Sequence, residues 1–149
     1  MDSVSSMSIT DLLQTITMMQ DEQVMSSGLL FKCMSNLASR VQDMNAPELS
    51  FFYLITTSEA AHHFSEKAAT DKEIGSALLK NAAMFGSQDI GKICYCAEVK
   101  LNAETLNMET NMAEFLSAKA NEVQKWVQEG TLPVSDLAHI LKAYNCVNV

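Results

Sequence analysis

The sequence predicts an all-α protein, a helical bundle with one long helix in the C-terminal half and a short terminal helix. Three observations predict it. Apolar residues recur at spacings of three and four along most of the chain, and strand-type alternation is never sustained. Only two prolines and five glycines occur, and none of the prolines falls between Glu48 and Leu132, which leaves room for long helices. Hydrophobic residues make up 48% of the 149, enough for one buried core without help from disulfides or metal.

The chain opens with the serine-rich MDSVSSMS, read as a flexible leader over 1–8, ahead of a single helical domain over 9–149. Ser8 followed by Asp11 has the spacing of a capping box. Ile9, Leu12, Leu13, Ile16 and Met19 then mark one helical face. Ser26-Ser27-Gly28 interrupts it, and Leu30, Met34, Leu37, Val41 and Met44 resume it, so the first third is a helical hairpin or one kinked helix. Asn45-Ala46-Pro47-Glu48 is a helix start, with a capping residue, an early proline and an acid in the first turn. The apolar face after it runs from Leu49 through Phe52, Tyr53, Thr56, Ala60 and Phe64 to Ala68. Thr70-Asp71-Lys72-Glu73 has the form of a second capping box, predicting a short helix through Phe85. Gly86 stands where a left-handed C-terminal residue belongs.

Gln88 to Glu129 holds no proline and ends at Gly130. Ile90, Ile93, Ala97, Leu101, Met108, Met112, Phe115, Val123 and Trp126 trace a heptad-like stripe through it, in the manner of a coiled coil. One unbroken helix of that length would run roughly 60 Å, beyond the 35–40 Å or so of a compact domain this size. A bend is therefore expected within 102–111, where Asn102, Thr105, Asn107, Thr110 and Asn111 are weak helix formers. Leu132-Pro133 opens the last helix, with Leu137, Ile140, Leu141 and Tyr144 on its apolar face. No internal repeat is legible.

The formal charge is −8, and the cations are nine lysines and the single Arg40. Phosphate binding needs clustered cations, which this chain lacks, so nucleic acid is not an expected partner. No apolar run is long enough to predict a membrane span. The start of the sequence lacks the basic and apolar regions of a cleavable secretory signal. A cytoplasmic protein, or one exported without such a signal, is expected.

Candidate chemistry is sparse. Glu59-Ala60-Ala61-His62 places a carboxylate and an imidazole on one helical face, the unit that ferritin-like di-iron bundles use. Asp136-Leu137-Ala138-His139 repeats the spacing, with Glu98, Glu104 or Glu114 and Asp43 or Glu48 as further carboxylates. That pattern makes a metal-binding bundle using Glu59 and His62 the alternative reading, but the full Glu-x-x-His motif occurs once, so no metal or cofactor is expected. Cys33, Cys94, Cys96 and Cys146 have neither framework nor zinc spacing and read as buried free thiols. No phosphate loop and no hydrolase or redox motif is present.

What remains is protein–protein contact. Ten methionines suit adaptable surfaces as well as cores. The stripe Met108, Met112, Phe115, Val123 and Trp126 must be covered by the chain itself, by a second copy or by a partner, and the length of the segment favours self-association or a stable partner. The serine-rich start resembles the leaders of type III export substrates, and the acidic helical remainder resembles that system's tip, filament and chaperone proteins. The resemblance is one of composition. It implies a small non-enzymatic structural or accessory component of a secretion system; a viral assembly component would have the same composition.

Overall fold

The computed structural model describes residues 6–21, 27–57, 67–104 and 110–147. Within them lie seven α-helices and no strand: α1 Ile9–Asp21, α2 Ser27–Ala38, α3 Ala46–Thr56, α4 Lys67–Lys80, α5 Ser87–Glu104, α6 Thr110–Glu129 and α7 Val134–Val147. The chain is thus the all-α bundle that its periodicity predicts. No helix among the described residues is long and apolar enough to cross a membrane.

The helices form two layers. The odd-numbered ones pack on each other in chain order, α1 on α3, α3 on α5 and α5 on α7. In the second layer α4 packs against α6, and the 3-10 turn Val41–Asp43 that follows α2 packs on α4. Such stacking is how helical repeats build a continuous core from units that cannot bury their apolar faces alone.

A repeated local signal underlies the odd layer. Each odd helix begins with an apolar residue, a capping position, two residues, an acid and a second apolar residue. The four instances are Met7-Ser8…Asp11-Leu12, Met44-Asn45…Glu48-Leu49, Phe85-Gly86…Asp89-Ile90 and Leu132-Pro133…Asp136-Leu137. The Asp11 amide donates to Ser8 Oγ at 3.1 Å. Asn45 and Glu48 cap each other reciprocally, with bonds of 2.9 and 3.0 Å. The Gly86 amide donates to Asp89 Oδ2 at 3.4 Å. The flanking apolar pairs have the spacing of a hydrophobic staple, which fixes the angle at which the chain joins a helix. Met44, Leu49, Phe85, Ile90 and Leu132 are all buried. No repeat is legible in the sequence alone; aligned on the starts of the four odd helices, one emerges.

Several local expectations change. Gly86 does not end a helix in the left-handed region; it occupies the capping position of α5. Thr70 does not start a helix, since α4 is already formed at Lys67 and Thr70 lies buried inside it. The helix that starts at Ala46 ends at Thr56, not at Ala68, and residues 58–66 lie outside those described. Of the leader, residues 1–5 lie outside the described range. Met7 packs on the core, and its carbonyl accepts from the Arg40 guanidinium.

The long C-terminal-half helix is two helices. Phe115 of α6 meets Phe85, just ahead of α5, edge-on with ring centroids 5.5 Å apart. On one straight helix Phe115 would stand about 40 Å from the start of α5 at 1.5 Å per residue. The chain therefore doubles back between α5 and α6, a reversal rather than a bend, with the connecting residues 105–109 outside those described. Lys119 holds the returned helix. Its buried ammonium donates to the Ala82 carbonyl at 3.0 Å and to Glu122, and lies 5.4 Å from the Trp126 ring centroid. Gly130, at φ 70°, then closes α6. The amides of Gly130 and Thr131 donate back to Val127 and Trp126 at 3.2 and 3.1 Å, a Schellman ending that requires the left-handed conformation glycine adopts freely.

α7 lies close on α5 because Gly91 has no side chain: a Cβ there would overlap the Asp136 side chain. Alanine in a helix is worth about 1 kcal/mol over glycine, whereas overfilling a packed contact costs about 1–3 kcal/mol. The overlap should prevail. Gly91→Ala is expected to lower the urea midpoint of unfolding, and a raised midpoint would show that α7 does not sit on this face of α5.

Candidate protein-binding groove

The outer surface of the odd layer holds a groove of about 480 Å³, within the size range of ligand and side-chain pockets, lined by Thr10, Leu13, Gln14, Thr17 and Met18 of α1, Pro47, Glu48 and Phe51 of α3, and Lys92 of α5. Leu13, Pro47 and Phe51 supply an apolar floor, and Met18, exposed over 62% of its surface, forms an adaptable edge. Local rules put them there. Pro47 sits in the first turn, where its missing N–H costs nothing, and Phe51 follows one turn later on the same face.

The polar lining is unequal. Glu48 accepts from the Asn45 amide at 3.0 Å with one oxygen and from the Thr10 hydroxyl at 3.3 Å with the other, so this carboxylate is engaged in holding α3 to its own cap and to α1. Lys92 is the cation among the lining residues, and it is exposed. The groove thus presents an apolar floor with one positive group at its edge, on a chain of net charge −8.

A polar cluster joins α5 to α7 farther along the same layer. His139 Nδ1–H donates to Glu98 Oε2 at 2.7 Å, and Lys142 Nζ donates to Glu98 Oε1 at 3.1 Å. The Tyr95 ring meets His139 edge-on at 5.0 Å. The hydrogen bond from His139 holds the Glu98 carboxyl below its ordinary range; burial opposes this, and Lys142 adds to it. With both oxygens occupied, Glu98 acts as a clamp between two helices.

The sequence candidates are placed as follows. Glu59 and His62 lie outside the described residues, as does Met108. Glu98 and His139, two of the residues considered for a di-iron set, do meet, but Asp136 turns to the Gly91 side. Among the described residues no group of three or more acids, histidines or cysteines is placed to hold a metal ion. Cys33, Cys94 and Cys96 are buried and form no disulfide. Burial, with Cys96 and Asp136 nearby, pushes the Cys94 thiol up to about 12, so it stays protonated and unreactive. Burial likewise raises Tyr144, whose hydroxyl donates to the Leu116 carbonyl at 2.8 Å.

Met112, Phe115 and Val123 are buried within the chain, and Trp126 is partly buried. The sequence favoured a second chain as the cover for this stripe. The structure covers Met112, Phe115 and Val123 from within, because the reversal lays α6 against α4 and Phe85. The groove is not legible in the sequence, because it combines three helices: Thr10 of α1 bonds to Glu48 of α3, and Lys92 of α5 lines the same groove as Phe51.

Comparison with known protein families, characterised proteins and solved structures finds no match.

The clamp has a pH signature. A carboxyl lowered in the folded state contributes stability that is complete above its unfolded value and is lost as pH falls through its folded value. Melting temperature is therefore expected to drop as the medium is acidified through and below the ordinary glutamate range, and Glu98→Gln should flatten that part of the profile. An unchanged profile would mean the clamp contributes nothing to folding.

Proposed function

We propose that this chain is a non-enzymatic helical scaffold that works through protein–protein contacts, and that the groove between α1 and α3 seats an apolar segment of its partner. The observation that carries the reading is the open apolar floor of Leu13, Pro47 and Phe51 beside the free edge of Met18. Apolar grooves between helices are where amphipathic helices bind, using side chains at i, i+3 or i+4 as anchors. Lys92 defines the chemistry further. Glu48 is occupied by the cap and by Thr10, so the charge offered to an incoming segment is positive. The occupant is an amphipathic segment with large apolar anchors and an acidic residue beside them. An accessory role in a larger assembly follows from this mode of action.

Selection of displayed helical peptides against the whole protein tests this. Enriched peptides should combine apolar residues at helical spacing with Asp or Glu. Phe51→Asp should weaken the selected peptides at least tenfold, about 1.4 kcal/mol, and Lys92→Glu should remove the preference for an acid. Peptides that bind Phe51→Asp as tightly as the parent would place the binding surface elsewhere.

A further inference from the structure

The two ends of the odd layer carry the two halves of one interface. α7 and α3 dock on the preceding odd helix through the face that holds their first-turn acid. Asp136 of α7 lies against Gly91 of α5, and His139 lies against Tyr95 and Glu98; Glu48 of α3 bonds to Thr10 of α1. On α5 the following helix is received at Gly91 and Cys94, both beside Asp136. The repeated start signal puts Ser87, Gly91 and Cys94 of α5, counted from Phe85, in register with Ala46, Ser50 and Tyr53 of α3, counted from Met44. Cys94, Ala46, Ser50, Tyr53 and Gly91 are buried, and Ser87 is half-buried.

The same register in α7, counted from Leu132, gives Val134, Ala138 and Leu141. All three are exposed, Val134 over 84% and Leu141 over 65% of their surface. The middle position is small in α3, α5 and α7, as Ser50, Gly91 and Ala138, and is Leu13 in α1. α7 is thus shaped to receive a helix, and among the described residues none covers it. In α1 the positions equivalent to Asp136, His139 and Ala143 are Asp11, Gln14 and Met18. These are exposed, whereas Ala143 is buried. α1 is shaped to dock, and no described helix precedes it.

We propose that copies of this chain stack head to tail, with α1 of one copy seated on α7 of the next in the register that α7 adopts on α5. Asp11 then lies over Ala138 as Asp136 lies over Gly91, and Gln14 comes against Lys142 and Asn145. Met18 and Leu141, two of the most exposed large apolar side chains described, bury the surface left between the helices. A second copy is the occupant that fits because it brings a helix with the required start signal, acid and spacing. The contact is heterologous, using different surfaces on the two copies, so it extends rather than closes unless its rotation forms a ring. It is centred on one helix pair and belongs to the small, weak class of interfaces.

Sedimentation analysis of the full chain tests the proposal. From roughly 1 μM to 1 mM, the range in which weak contacts saturate, the mean mass should rise past that of a dimer. Leu141→Asp and Met18→Asp each alter an exposed position, so each should melt like the parent and each alone should stay monomeric. Mixed in equal amounts they should form a one-to-one dimer, because one retains an intact α1 end and the other an intact α7 end. Three results would overturn the proposal: a parent chain monomeric at every concentration, a mixture that stays monomeric, or a dimer that Met18→Asp leaves intact, which would mean that α7 pairs with its own copy.

Discussion

The edge-on contact between Phe85 and Phe115 is the joint between the two layers of helices. Phe85 belongs at once to the turn that ends α4, to the staple that starts α5 and to the wall that receives α6. A ring buried in this way contributes well beyond its contact with one neighbour, since truncating it removes about 3–5 kcal/mol of packing. Lys119 reinforces the joint by satisfying the Ala82 carbonyl of the same turn. With α6 held there, Tyr144 of α7 reaches the Leu116 carbonyl, and α7 lies down on Gly91. The two layers are joined at this point.

The joint also decides which surfaces remain for partners. On an extended rod Met112, Phe115 and Val123 would form a long apolar seam. In the folded-back chain they are core. Apolar surface is left open elsewhere, in the groove of Leu13, Pro47 and Phe51 and at Val134 and Leu141 of α7, beside single exposed residues such as Met84 and Val127. The protein-contact reading therefore moves from the seam to the odd layer. Scattered exposed apolar residues mean little singly. Their arrangement at positions that are covered in α3 and α5 is what gives those of α7 meaning.

Much of the fold was legible because helix starts and stops are written locally. Asn45 with Glu48, Ser8 with Asp11 and the left-handed Gly130 behave as their residue types demand. The misreadings were physical ambiguities. Gly86 fits a helix end and a helix start equally well from sequence, and the acid that decides, Asp89, follows three residues later. Thr70 with Glu73 imitates a cap, but the helix was already under way. Periodicity showed that Leu141 is apolar and on a face, not whether anything covers that face. The repeat stayed hidden because its capping position is filled in turn by Ser8, Asn45, Gly86 and Pro133, and its period varies. The Glu98–His139 clamp and the groove join residues distant in sequence, so no local pattern announces them.

The reversal between α5 and α6 sets a short distance between two helices that one continuous helix would hold far apart. Spin labels on bio-orthogonal side chains at the exposed positions Gln88 of α5 and Ala118 of α6 leave the buried cysteines untouched. Pulsed dipolar spectroscopy should give a single narrow distribution centred below about 25 Å, since Phe85 and Phe115 nearby are in contact. A continuous helix would place the labels about 45 Å apart at 1.5 Å per residue, and a distribution there would contradict the two-layer stack.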